Sequence, residues 1–226
     1  MIDEHHLAVS RTARYFTIGK QGDGITDVWI ACHGYGQLAG SFARRFETIA
    51  APTRLVVVPE ALSRFYLGEH TRPATPDTKV GASWMTREDR EKDIRDYVDY
   101  LDALYDHVFR RVKRARARLS VLGFSQGAST VSRWAIQGRA RIDRLILWGG
   151  TVASDADLAT ARPRFEKLKL VIVAGNEDSY ITTKVRVAEE QRLQTAGIGF
   201  EVVNYAGGHE IDPQVLHQLS GQGEQQ

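Results

Sequence analysis

Five apolar runs of strand length recur along the chain: DVWIACHG (27–34), RLVVVPEA (54–61), LSVLGF (119–124), RLILWGG (144–150) and KLKLVIVAG (167–175). They lack the strict alternation of a half-solvated strand, so they read as parallel strands covered on both faces. IGFEVVNYAG supplies a last, more polar strand. The stretch from about Leu7 to Ile18, with partial alternation, reads as an edge strand or strand pair. Between these runs the period changes. Ile94, Tyr97, Val98, Leu101, Leu104, Tyr105, Val108 and Val112 recur at the spacing of one helical face. GSFARRFETIA (40–50), QGASTVSRWAIQ (126–137), about 182–196 and about 212–219 predict further helices. Strands alternating with helices predict an α/β fold, a mostly parallel central sheet flanked by helices on both faces. No repeat or linker interrupts it, so 1–226 reads as one domain with a frayed tail from about residue 220.

One long segment breaks the alternation. Residues 60–87 keep no sustained period and contain two prolines and two glycines, so they read as a long, functional loop. Its Phe65, Tyr66, Leu67, Trp84 and Met85 would either wall an apolar substrate pocket or plug the core. Its arginines, Arg64, Arg72 and Arg87, read as solvated rather than as an anion site.

Composition narrows the class. The chain is 42% hydrophobic and 26% charged, which supports a sizeable core without staples. A net charge of +2 with neutral histidines is too small to argue for nucleic acid or an anionic membrane. Basic RRVKRARAR (110–118) precedes a parallel strand, which puts it on the sheet edge away from strand carboxyl ends, as a solvated helix terminus. Cys32, the single cysteine, sits inside an apolar strand and reads as a core residue. No run approaches the ~20 apolar residues of a membrane span, and the N-terminus has no signal-peptide apolar region. These features predict a cytoplasmic protein with no membrane insertion.

The chemistry is concentrated at strand ends. Gly123-Phe124-Ser125-Gln126-Gly127 stands between a strand and a helix, the context of a nucleophile elbow that projects a serine Oγ from the sheet. Without that context the motif is a common turn. An orienting acid would come from the loop after KLKLVIVAG, where Glu177 and Asp178 both qualify. Asp178, one step further from the strand, has more room to turn back toward a histidine. Only His209 and His217 follow it. His209 lies in the glycine-rich loop after the last strand and reads as the base, whereas His217 reads as a surface residue of the terminal helix. Oxyanion donors are expected from the N–H of Gln126 and, in the loop His33-Gly34-Tyr35-Gly36-Gln37, of Tyr35. His33 itself reads as a structural residue of that loop. No clustered Cys/His spacing suggests a metal, and the chemistry requires no cofactor.

With CHGYGQ, GFSQG, GNED and GGHEI in hand, the chain resembles the phospholipase/carboxylesterase family, which includes bacterial carboxylesterases and acyl-protein thioesterases. The resemblance implies an α/β-hydrolase fold without a large lid domain. It implies Ser125, Asp178 and His209 as a triad, raising Asp178 over Glu177, with Tyr35 and Gln126 as oxyanion donors. It also matches ASWMT to a tryptophan loop beside the acyl pocket, which with Phe65 and Tyr66 gives Trp84 and Met85 as pocket residues. Gln37, Met85-Thr86 and PEALSRFYLGEH depart from the family pattern, and these changes bear on the substrate. The expected activity is hydrolysis of small-molecule carboxylic esters of short to medium acyl chain. A long-chain thioesterase or lysophospholipase would need an apolar groove. A non-catalytic binding protein of the same fold is disfavoured because the triad and the loop glycines are all present.

Overall fold

The structure, a computed structural model, describes residues 1–68 and 75–221. Its strands are β1 (Tyr15–Ile18), β2 (Asp27–Cys32), β3 (Arg54–Pro59), β4 (Ser63–Tyr66), β5 (Val80–Ser83), β6 (Arg118–Phe124), β7 (Arg144–Trp148), β8 (Lys169–Gly175) and β9 (Glu201–Tyr205). Its helices are α1 (Ala39–Ala43, continued as a 3-10 turn over Arg44–Ile49), α2 (Arg90–Phe109), α3 (Gln126–Gln137), α4 (Leu158–Phe165), α5 (Thr183–Thr195) and α6 (Pro213–Gly221). Seven strands form one sheet in the order β1-β3-β2-β6-β7-β8-β9. β1 runs antiparallel to β3, and every other pairing in the sheet is parallel.

The two-residue period of the central strands sorts their side chains onto two faces. Val28, Ile30, Leu55, Val57, Leu119, Val121, Leu145 and Leu147 face a core closed by α2, α3, α4 and α5. Trp29, Ala31, Val56, Val58, Leu122, Ile146 and Trp148 face a second core closed by α1, the 3-10 turn and α6. Burial on both faces is why these strands read as unbroken apolar runs. The helical face expected from Ile94 to Val112 packs into the first core as a unit.

Several elements depart from the sequence reading. The edge strand is short, and residues 7–14 form no strand, because the ladder ends where Tyr15 reaches Pro59 at the end of β3. The helix expected over 40–50 keeps α geometry only to Ala43. α4 was not expected, since Pro163 lies inside it. Its entry is fixed by the Asp157 side chain, which accepts from the N–H groups of Ala159 and Thr160. The segment 60–87 is not featureless, because β4 and β5 pair antiparallel as a separate two-stranded sheet. The terminal helix takes in the first two residues of the expected tail, ending at Gly221. Arg144 and Arg54 donate to the carbonyls of Leu219 and Ser220 at 2.8 and 2.7 Å and hold that last turn. Residues 222–226, and Arg72 in the long segment, lie outside the described residues.

The basic run 110–118 sits at the amino ends of β6 and β2, where Arg118 lies opposite Asp27. Lys113 pairs there with Asp23, and Arg114 with Asp143. Among the described residues no helix is long and apolar enough to cross a membrane.

One buried carboxylate ties α2 to the end of α3. Asp102 accepts from the Trp134 indole N–H at 2.8 Å and from the Arg139 backbone N–H at 2.9 Å. Asp102→Ala leaves both donors without an acceptor. Urea denaturation is expected to show a loss of about 3 kcal/mol of stability, whereas exposed Asp99→Ala stays within about 0.5 kcal/mol of the parent.

Candidate active site

Strand order reverses between β2 and β6: from β2 the chain crosses outward to β3, and from β6 it proceeds the other way through β7, β8 and β9. Such a switch point opens a crevice at the carboxyl ends of the two strands. β2 and β6 pair up to Cys32 opposite Gly123. The loop His33–Gln37 and the turn at Ser125 therefore leave the sheet side by side.

Ser125 has φ 55° and ψ −118°, a left-handed setting rare for a side chain with a Cβ. A backbone of this kind costs on the order of 1–3 kcal/mol and persists only where its surroundings enforce it. Here its N–H donates to Trp148 O at 2.9 Å, and its carbonyl accepts from Ala128 N–H at 2.9 Å. The motif's glycines have a packing reason. A Cβ on Gly123 would overlap the carbonyl of Gly127, and one on Gly127 would overlap that of Cys32. The turn is folded flat against the end of β2, and no side chain fits beneath it.

Asp178 follows β8, and its carboxylate is fully buried. Its Oδ1 accepts from the N–H groups of Tyr180 and Ile181 at 2.8 and 2.9 Å, and its Oδ2 lies 2.7 Å from His209 Nδ1. Burial works against the charge. The Ile181 N–H, the His209 ring and the Tyr180 N–H outweigh it and hold the carboxyl below its usual range. Glu177 is exposed and points its role elsewhere: its N–H donates to Gly207 O at 2.9 Å and ties the two loops together.

His209 sits between the rings of Phe124 and Tyr180, at centroid distances of 4.9 and 4.7 Å. A Cβ built on Gly149 would lie 3.0 Å from its Cε1, so the ring also rests against the backbone after β7. With Nδ1 committed to Asp178, Nε2 is the nitrogen left for the elbow. Two residues not singled out from the sequence secure this loop. The Tyr205 hydroxyl lies 2.9 Å from Gly208 O and 2.6 Å from Glu210 O, and the Trp148 indole donates to Glu210 O at 2.8 Å. Their signal was present only as aromatic residues at the ends of β9 and β7. His217 is exposed on α6.

The loop after β2 is braced from below and from the side. His33 Nε2 receives the Ala61 N–H at 3.1 Å, so the proton resides on Nδ1, which donates to Gly34 O at 2.8 Å. Burial lowers the pKa of this ring against the opposing pull of Gly34 O and Glu60. In the stretch 34–37, Gly34 N–H donates to Gln37 Oε1, Gly36 N–H to Ala82 O, and Gln37 N–H to Gly34 O. Among the described residues, Tyr35 N–H is the one in this stretch without a protein acceptor. Gln126 opens α3, where an N–H has no intrahelical partner.

β5 holds this loop in place. Gly36 and Gln37 exchange hydrogen bonds with Ala82, and a Cβ on Gly81 would collide with the Gly36 backbone. The Gln126 side chain then joins elbow to hairpin: Nε2 donates to Met85 O at 2.8 Å, and Oε1 accepts Trp84 N–H at 3.1 Å. Trp84 is only 3% exposed and donates its indole N–H to His33 O at 2.8 Å. The expectation that it walls a substrate pocket is thus corrected, since Trp84 is a core residue supporting the loop. Met85 packs partly against the same core. Phe65 lies against Tyr35, with ring centroids 5.2 Å apart, and Tyr66 is exposed. Among the described residues, one group of metal-type ligand atoms converges, Glu4, His6 and Asp89, exposed on the N-terminal segment and before α2.

A family model described as Phospholipase/Carboxylesterase matches residues 13–221. No curated protein matches the chain significantly. Among solved structures, acyl-protein thioesterase 2 of Zea mays superimposes with a TM-score of 0.65 at 16% identity, over 93% of this chain and 97% of that one. A carboxylesterase from Mesorhizobium loti gives 0.63 at 19% identity, over 89% and 90%. The Bacillus cereus carboxylesterase gives 0.62 at 13% identity, over 93% and 92%. At these identities the likeness shows the shared fold, an α/β-hydrolase sheet without a large lid among the described residues.

The depressed acidity of Asp178 has a signed consequence for stability. A carboxyl whose folded pKa lies below its unfolded value of about 3.9 stabilises the fold above that pH and loses the contribution as pH falls through the folded value. Thermal melts of the parent and of Asp178→Asn are expected to differ in favour of the parent at neutral pH. The gap should close as the pH drops below about 4, and a gap that persists or widens in acid refutes this reading.

Proposed function

Because the chain belongs to the phospholipase/carboxylesterase family, we propose that it is a serine hydrolase cleaving carboxylic esters through Ser125, His209 and Asp178. The observation that carries this reading is the 2.7 Å Asp178–His209 pair seated against Phe124, the residue before a serine held at positive φ. On this reading the unit from 1 to 226 acts as a single α/β-hydrolase domain.

In the proposed reaction His209 Nε2 takes the proton of Ser125 Oγ as the oxygen attacks the ester carbonyl. Asp178 stabilises the imidazolium that results and keeps its Nδ1–H pointed inward. The carbonyl oxygen gains negative charge and is received by the N–H groups of Tyr35 and Gln126. His209 returns the proton to the departing alcohol, leaving an acyl-enzyme. Water then repeats the sequence and releases the acid. Every step uses this chain's own groups. The preferred acyl chains are short to medium, as expected of a small hydrolase with no large lid among its described residues.

Hydrolysis of p-nitrophenyl esters from acetate to palmitate, by the parent and by Ser125→Ala, tests the proposal. Turnover is expected to peak at short chains and to fall by at least about 10³-fold in the variant. A fluorophosphonate probe is expected to label the parent at Ser125. A long-chain peak would redirect the reading toward acyl-protein or lipid substrates. Undiminished turnover in Ser125→Ala would overturn it.

A further inference from the structure

A cavity of about 300 Å³ lies between α1 and the β4–β5 hairpin, lined among others by Gln37, Leu38, Ser41, Arg45, Leu67 and Lys79. Its lining holds two cations, a hydroxyl and apolar side chains, and no described acid. Some of the chain's cations find carboxylates: Arg14 pairs with Glu60, Arg54 with Asp27, Arg133 and Arg90 with Asp155, and Arg139 with Asp106. Among the described residues, Arg45 and Lys79 have no such partner. Two like charges thus line one recess together, with no carboxylate among its described lining to pair with either.

The recess shares a wall with the site. Gly36 and Gln37 line it and also belong to the loop that presents Tyr35 N–H. Gln37 Oε1 accepts Gly34 N–H at 2.9 Å, and a Cβ on Gly34 would lie 3.2 Å from Ser125 Cβ. From Tyr35 to Gln37 the chain advances at most ~7 Å. The lining residue Gln37 therefore stands close along the backbone to the N–H that would receive a substrate carbonyl.

We propose that this cavity is a subsite for an anionic substituent of the substrate, with Arg45 and Lys79 receiving a carboxylate carried a few bonds from the scissile ester. Ser41 adds a hydroxyl donor, and Leu38 and Leu67 line the spacer. The enzyme would then prefer monoesters of dicarboxylic acids over neutral esters of equal length. This inference rests on the serine hydrolase reading for its reaction, but the cavity's affinity for carboxylate does not.

The test compares mono-p-nitrophenyl glutarate with its methyl-capped diester, which has the same chain without the charge. The parent is expected to favour the free acid by about tenfold or more in kcat/KM, less so at high salt. Arg45→Gln and Lys79→Gln should each reduce that preference and the double variant abolish it, with turnover of the capped ester unchanged within about twofold. Both positions are exposed, so folding is not at issue. In parallel, titration calorimetry measures monomethyl glutarate binding to Ser125→Ala with and without the two substitutions. Binding that needs Arg45 and Lys79 supports the subsite even if neither ester is turned over, an outcome that would count against the serine chemistry alone. Equal rates on both esters, a preference that survives in the double variant, or binding indifferent to both residues overturns the proposal.

Discussion

The side-by-side pairing of β2 and β6 is the constraint on which the site depends. Cys32 lies opposite Gly123, so two loops distant in sequence leave the sheet at one place and in one direction. The approach is so close that Gly127 admits no Cβ against the Cys32 carbonyl. Glycines at 123 and 127 are what that contact demands. The backbone must turn at once, pass flat over its neighbour, and present one side chain outward. The elbow, the loop of Tyr35 and the first turn of α3 are in this sense a single piece of backbone geometry with one shared contact.

Around that piece stand supports made by side chains with no part in the proposed reaction. Trp84 reaches from the hairpin to His33 O, Gln126 reaches from the elbow to the hairpin, and Tyr205 with Trp148 secures the backbone on either side of His209. Trp84, Gln126 and Trp148 join elements far apart in the chain, while Tyr205 holds its own loop, and each uses a buried or partly buried hydrogen bond, where a missing partner is costly. Gln126 is an economical case, since its backbone N–H is a proposed oxyanion donor while its amide joins elbow to hairpin. His33 is another: one nitrogen receives Ala61 and the other holds Gly34, so the ring has no proton-transfer role left to play.

Much of this was legible in the sequence, for identifiable reasons. Strands buried on two faces announce themselves as apolar runs, and the face of α2 announces itself by its period. The order Ser125, Asp178, His209 follows from three strand ends on one edge. The sequence prefers Asp178 over Glu177, and the loop adds a physical ground for that preference: the N–H groups of Tyr180 and Ile181 close on the Asp178 carboxylate, while Glu177 stays in solvent. The β4–β5 hairpin was opaque because its strands are four residues each and carry Arg64 and Gly81 rather than an alternating pattern. α4 was hidden by Pro163. For Trp84 the residues left pocket wall and core plug both open, and the resemblance favoured the pocket, because a tryptophan in a long loop carries no mark of the carbonyl it will find. Pairings across fifty residues are set by topology, and local pattern does not encode them.

The backbone setting of Ser125 carries an implication for how such a chain changes over time. At φ 55° glycine would sit with less strain than any residue bearing a Cβ, so position 125 is a place where folding and chemistry ask for different residues. A lineage relieved of its reaction would drift toward the relaxed residue and become sturdier as it fell silent. One that keeps the hydroxyl carries a standing thermodynamic debt at the centre of its fold. On the proposed reaction, the serine is thus a record of use written into the backbone itself.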